Sequence, residues 1–328
     1  MLNSRFALGF VAACLFPLAA CSPNETKPDA GSSGDAGSSA DGGASSSDVV
    51  GTFNVKLLAP STNGGAGLTS IAGSTRDGPE PSPRSWITAT TSGDCALLKP
   101  KVPFCSTSCG SSAVCTADEK CQDYPTGLSV GTVTVSGIHT ASSQTSFDLT
   151  EGVKGNYAYV GTLAYPGFAE GDTLRLSASG GDYPAFTLEA RGIRPLELTG
   201  TSLTLTKDQP LSLTWTAGQT GISTIHVKLD ISHHGGTKGV ISCDTADSGS
   251  LQLSASLVSE LLSLGVAGFP TIVVTRTAED SAAVPKGLVK LQVTSQVEQA
   301  VQIPGIDSCN GDEDCPSGKK CQSDLTCS

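Results

Sequence analysis

Ile225-His226-Val227-Lys228-Leu229-Asp230-Ile231-Ser232 is the stretch that decides the fold class. Apolar and polar residues alternate at every step, the period of a strand with one face in a core and the other in water. The same period recurs along the chain. Phe53, Val55 and Leu57 alternate with Asn54 and Lys56, and Val133 and Val135 with Thr132, Thr134 and Ser136. Leu211, Leu213 and Trp215 alternate with Ser212, Thr214 and Thr216, and Val289, Leu291 and Val293 repeat the pattern near the end. Many short strands separated by Gly, Pro and Asp predict an all-β chain of tandem antiparallel β-sandwich regions. Outward positions are mostly Ser and Thr, which accounts for a charged fraction of 16%, below the usual quarter or so. One stretch alone reads as helix. Leu257, Leu261 and Leu264 fall at helical spacing with Val258 and Leu262 beside them, Ser254 or Ser256 as cap and Gly265 as stop.

A chain of 328 residues has room for two or three domains. Residues 49–128 read as a first β region with a cysteine cluster, 129–195 as a second and 196–303 as a third carrying the helix, followed by a cysteine-rich module at 304–328. The formal charge is -11 and no basic patch is visible. A phosphate-binding surface needs such a patch, so nucleic acid is excluded as a partner.

The amino end is a separate matter. Arg5 precedes a mostly apolar run from Phe6 to Leu18, which is too short for a bilayer that takes about 20 residues and reads as a signal-peptide core. It ends in Leu18-Ala19-Ala20-Cys21, and all four positions resemble the lipobox of bacterial lipoproteins. The resemblance implies a signal peptide at 1–20, a diacylglycerol thioether on Cys21 and acylation of the new amino group. The lipid, palmitate-like in kind, would then be the membrane anchor. Ser22 after the cysteine, rather than Asp, favours the outer membrane by the same resemblance. Val11-Ala12-Ala13-Cys14 has too little hydrophobic sequence ahead of it to serve. The rest of residues 21–48 is mostly Ser, Gly, Ala and Asp, without an aromatic or large aliphatic residue. Nothing there can be buried, so a disordered tether is expected, averaging roughly 25–30 Å end to end.

With Cys14 lost and Cys21 lipidated, ten cysteines remain: Cys95, Cys105, Cys109, Cys115, Cys121, Cys243, Cys309, Cys315, Cys321 and Cys327. The last four stand at equal spacing, which Cys109, Cys115 and Cys121 share, with Cys105 just ahead. Lys120-Cys121-Gln122 echoes Lys320-Cys321-Gln322. These read as two copies of a small knot that disulfides must hold, because so short a loop has no core of its own. If each knot closes on itself, Cys95 and Cys243 are left to pair and clip the amino-terminal region to the third β region. Zinc is the rival, since four cysteines can form a tetrahedral site. Against it stand the lack of a Cys-x-x-Cys pair and the oxidising compartment implied by export. The tail from Cys309 to Cys321 resembles a cysteine motif of secreted myxobacterial proteins and, distantly, the Dickkopf-type repeat. Leu211 to Thr216 resembles the Trp-bearing strand of fibronectin III-like (Ig-like) sandwiches. With the lipobox and tether, the whole chain resembles cysteine-rich myxobacterial lipoproteins, which implies location and architecture and brings no activity.

Candidate chemistry is sparse. Gly127-Leu128-Ser129-Val130-Gly131 fits the nucleophile-elbow pattern, but that motif needs a strand before it and a helix after it. Here a cysteine-rich loop precedes and a strand follows, so no catalytic residue is assigned. His233-His234-Gly235-Gly236 invites metal binding but reads more simply as the tip of a hairpin joining Ile231 to Val240. Asp312, Glu313 and Asp314 lack EF-hand spacing and read as a solvated acidic turn. Tyr157, Tyr159, Tyr165, Phe168, Tyr183 and Phe186 crowd into thirty residues. Most are expected in the second region's core, whereas Tyr165-Pro166 and Tyr183-Pro184 place two at turns, where an aromatic face can stack on a sugar. The expectation is a lipid-anchored envelope protein, surface-facing or periplasmic, with a non-catalytic recognition, adhesion or structural role and no cofactor. Its partner would be an envelope polysaccharide or protein. The alternatives are a polysaccharide-binding accessory module and a hydrolase with a non-standard site.

Overall fold

The computed structural model describes residues 48–60, 65–82, 84–200 and 202–328. The expected signal peptide and Cys21 lie outside these residues, as does the tether up to residue 47.

In chain order the strands begin with β1 (Val49–Leu58), β2 (Leu68–Thr75), β3 (Ser85–Ser92), β4 (Cys95–Lys101), β5 (Ala113–Cys115) and β6 (Cys121–Asp123). There follow β7 (Val133–Ser136), β8 (Ser146–Glu151), β9 (Asn156–Ala158), β10 (Thr173–Ala178), β11 (Phe186–Arg191) and β12 (Leu203–Thr204). The chain continues through β13 (Leu211–Thr214), β14 (Thr224–Asp230), β15 (Val240–Ala246), β16 (Ser250–Leu253), the helix α1 (Ala255–Leu262), β17 (Thr271–Val284) and β18 (Gly287–Gln302). The chain is all-β, with Ser254 capping the one α-helix among the described residues through a hydroxyl that accepts from the Leu257 amide. Leu257, Val258 and Leu261 are the face α1 buries, and Gly265 (φ +88°) takes the left-handed turn just beyond its end.

Fourteen strands form one mixed sheet whose main path runs β11-β10-β7-β8-β9-β2-β1-β18-β17-β14-β15-β4-β3. It encloses two apolar cores. In the first, the sheet rolls until β11 lies against β17 and β18, where the Glu189 amide donates to the Asp280 carboxylate at 2.7 Å. Phe53, Val55, Val133, Leu176, Leu188 and Leu291 fill it. Phe53 lies over its cross-strand partner Gly73, where a Cβ would stand 2.2 Å from the ring, so only glycine admits it. In the second, the sheet β18-β17-β14-β15-β4 faces the separate antiparallel pair β13–β16 and α1. Ile225, Val227, Leu229 and Ile231 are all fully buried there, and each such side chain contributes about 1.5–3 kcal/mol.

The packing units are not the linear regions 49–128, 129–195 and 196–303. β1 and β2 belong to the first core together with β7–β11, while β4 joins the second. The reason is the pairing of β1 with β18, which is parallel and joins opposite ends of the chain. Hairpin β17–β18 threads both cores: Ala278, Val289, Leu291 and Val293 point into the first, and Ile272, Val274 and Val301 into the second.

Where it passes between them, the inward positions are the register pair Arg276 and Ser295, both buried. The Leu196 amide donates to Ser295 Oγ at 2.9 Å. Arg276 donates to the Arg194 and Pro195 carbonyls (3.2 Å each), to the Thr216 carbonyl (2.6 Å) and, through Nε, to Asp247 Oδ2 (2.6 Å). Asp247 also accepts from Trp215 Nε1 and Ser223 Oγ, both at 2.7 Å. The seam is thus polar but satisfied, and it fastens the backbone that crosses from one core to the other.

Five disulfides join Cys95 to Cys243, Cys105 to Cys115, Cys109 to Cys121, Cys309 to Cys321 and Cys315 to Cys327. In each knot the first cysteine binds the third and the second binds the fourth. Cys115 faces Cys121 across β5–β6 as Cys321 faces Cys327 across an isolated bridge. The turns between them also match: Glu119 and Leu325 both have positive φ, and the Thr116 amide donates to the Lys120 carbonyl as the Gln322 amide does to that of Thr326. By structure, then, Cys121 corresponds to Cys327, and the Lys-Cys-Gln echo joins positions that are not equivalent.

Candidate functional site

Sequence-derived candidates fall in several places. Ser129 leads into the strand β7, where the motif needs a helix. Its hydroxyl donates to Glu151 Oε2 (2.9 Å) and lies 3.2 Å from the Tyr157 hydroxyl, with no imidazole among its partners. Tyr157 is spent on structure too, accepting the buried Val130 amide at 2.8 Å; burial pushes its phenol up. Tyr157→Phe would strand that amide, at a cost of about 1–3 kcal/mol. Urea unfolding should show this loss with the slope unchanged.

Tyr183 is not a ligand-facing residue. It is only 2% exposed and its hydroxyl donates to the Arg76 carbonyl at 2.6 Å, so the turn at Pro184 closes over it. Tyr165, before a cis proline, is half-buried against the first core with the Gly67 backbone against its ring. The rings of His233 and His234 lie 3.9 Å apart on the loop between β14 and β15, and the Phe269 amide donates to the His233 carbonyl. Among the described residues, the groups of three side chains close enough to share a metal are Cys105, Cys109 and Cys121, and Cys309, Cys315 and Cys321. Their sulfurs are joined in disulfides, so they offer no thiolate to zinc.

The side chains that do converge are outward-facing ones the sequence left unmarked. His226 of β14 stands opposite Asp244 of β15, Thr224 of β14 opposite Thr277 of β17, and Glu279 of β17 opposite Gln292 of β18. Together with the loop from Thr220 to Ser223 they line an open groove of about 720 Å³. The register accounts for its composition, since period two puts every second residue of four adjacent strands on this face. Beneath it, Asp247 reaches from the groove wall to the seam arginine.

Each carboxylate here has its own cation or imidazole. His226 Nδ1 lies 2.9 Å from Asp244 Oδ1. Lys290 donates to Glu279 Oε1 and Gln292 Nε2 to Glu279 Oε2, both at 2.9 Å. Burial pulls the Glu279 carboxyl up, but the hydrogen bonds from Gln292 and Lys290 outweigh it and hold it below the usual glutamate range. Asp247 behaves likewise, with Arg276, Ser223 and Trp215 overriding burial. Asp244 and Glu279 are two strand spacings apart across the sheet and four residues apart along it, roughly 16 Å between backbones. Paired catalytic carboxylates of glycoside hydrolases lie about 5–9.5 Å apart, closer than the backbones of Asp244 and Glu279 stand.

No protein-family model and no curated protein matches the chain. Among solved structures it is similar to a tetra-tandem repeat in the extending region of a large adhesion protein, at 15% identity over 79% of this chain and 76% of that one, with a TM-score of 0.20. It is also similar to the FN1–FN3 domains of chicken CNTN1, at 10% identity over 73% and 82% of the respective chains, again with a TM-score of 0.20. Likeness at that level carries no weight for function, which rests on the geometry above.

Proposed function

We propose that the chain is a lipid-anchored protein of the bacterial cell envelope, held through Cys21 and the tether at 21–48, whose β body is a non-catalytic recognition module. The observation that carries this reading is the open groove, in which His226, Asp244 and Glu279 are each engaged in a pair rather than aimed at a common point. Five disulfides, two of them in each knot, suit an oxidising compartment outside the cytosol. Cys21→Ser removes the thiol that would take the lipid. The variant is expected to move from the membrane pellet to the soluble fraction while still binding isolated envelope material. Retention in the pellet overturns the anchor, and failure of both forms to bind envelope material overturns recognition.

A further inference from the structure

We propose that the groove across β14, β15, β17 and β18 binds a neutral polyhydroxylated chain, a glycan, laid along the row from Gln292 to Asp244. This rests on the recognition reading and names its ligand class. The volume of about 720 Å³ lies within the range of ligand sites, about 300–1,000 Å³. Charge then narrows the class. Glu279 is paired with Lys290, Asp244 with His226 and Asp247 with Arg276. An anionic ligand would meet these carboxylates and find Lys290 and Arg276 already engaged. A cationic ligand would gain little from charge, because Lys290 and Arg276 already neutralise Glu279 and Asp247. An apolar ligand would cover Ile222 and Ala246 but would also strip water from hydroxyls and carboxylates without replacing those hydrogen bonds.

A sugar hydroxyl both donates and accepts, and so matches what remains. Glu279 accepts one side-chain bond at each oxygen, which leaves a lone pair on each for a ligand hydroxyl. Gln292 donates through its amide nitrogen, which leaves its carbonyl oxygen to accept. The hydroxyls of Thr220, Thr224 and Thr277 line the groove and make no side-chain hydrogen bond among the described residues. Underneath, the Arg276–Asp247 pair and the hairpin register fix the backbone, so little ordering is needed when a ligand binds. The groove residues include no Phe, Tyr or Trp. Each sugar unit is therefore held without aromatic stacking, and a polymer should bind far better than a monosaccharide.

The test is affinity electrophoresis of the detergent-solubilised full-length chain. Gels contain dextran, a starch glucan or a galactomannan as neutral probes, with alginate as the anionic and chitosan as the cationic contrast. At least one neutral polymer should retard the chain. Filling the groove with Thr277→Trp or, at an exposed position, Thr224→Trp should weaken that retardation at least about tenfold, while Thr277→Ser retains it. Thermal unfolding of each variant separates lost binding from lost fold. Stronger retardation by alginate or chitosan than by any neutral polymer overturns the ligand class. Retardation that survives in both folded Trp variants overturns the groove. Binding to isolated envelope material without retardation by any neutral polymer also overturns the glycan assignment, and in that case recognition stands at another surface.

Discussion

Arg276→Ala is expected to destabilise the body by about 3–5 kcal/mol, the cost of leaving one partner of a buried ion pair uncompensated. Arg276 is fully buried and Asp247 nearly so, and removal of the guanidinium also abandons the carbonyls of Arg194, Pro195 and Thr216. Replacing both partners by apolar residues, Arg276→Met with Asp247→Leu, often recovers such a loss. Here recovery should be incomplete, because the three carbonyls and Trp215 Nε1 would still lack partners. Urea unfolding of the single and double variants checks both statements; full recovery in the double variant would mean that the backbone capture contributes nothing. The pH dependence has a fixed sign. Asp247 is held below its ordinary value of 3.8 in the folded chain. Its contribution is therefore fully present above the unfolded pKa and is lost as pH falls through the lower folded one. The wild type should lose this increment in that acid window, and Arg276→Ala should show much less of it.

That seam shows what could and could not be read from residues alone. Alternation marked Ile225 to Ile231 as a half-buried strand because every inward residue is apolar, and the structure buries all four. The same period runs through Ile272, Val274, Arg276 and Ala278, but an arginine at an inward position looks like an interruption unless its partner is known. Asp247 and Trp215 supply that partnership from distant positions. The β1–β18 pairing is similarly hidden, since nothing local in Phe53-Asn54-Val55 specifies a parallel neighbour at Leu291. Helix α1 was legible because its apolar spacing, its cap Ser254 and the glycine beyond its end are all local signals. The groove was not, because Thr224, His226, Thr277 and Gln292 each look like an ordinary solvent-facing strand residue. Only the register of four strands makes them one surface. Tyr183 misled for the converse reason: a proline after an aromatic marks a turn, and this turn folds inward so that its hydroxyl can satisfy a carbonyl.

Removing the Cys95–Cys243 disulfide by the double substitution Cys95→Ala and Cys243→Ala is expected to cost about 4 kcal/mol. The bridge spans a separation of 148 residues, and closing so long a loop restricts the unfolded chain more than either knot does. It also holds a narrow attachment. β4 meets β15 only from Val240↔Leu98 to Cys243↔Cys95, and β3 reaches the rest of the sheet only through β4. Beyond this register, the β3–β4 hairpin is retained by Leu97 in the second core, by Thr90 Oγ1 donating to Glu260 on α1, and at its turn by Asp94, whose carbonyl accepts the Asp244 amide and whose carboxylate accepts from Thr245 Oγ1. The corresponding loss at Cys309 and Cys321 should cost less, about 3 kcal/mol, because that bridge closes a separation of only 12 residues, and its first sign should be exposure of residues 304–328 to protease. Folding kinetics separate the two ways the long bridge can act. If it works through the unfolded chain, the Ala pair slows refolding and leaves unfolding nearly untouched. If it works by pinning β4, unfolding accelerates and amide exchange rises first in β3 and β4. The short register and the buried position of both cysteines favour a measurable share of the second effect, so exchange confined to the background rate in β3 and β4 would remove the pinning role and leave loop entropy alone.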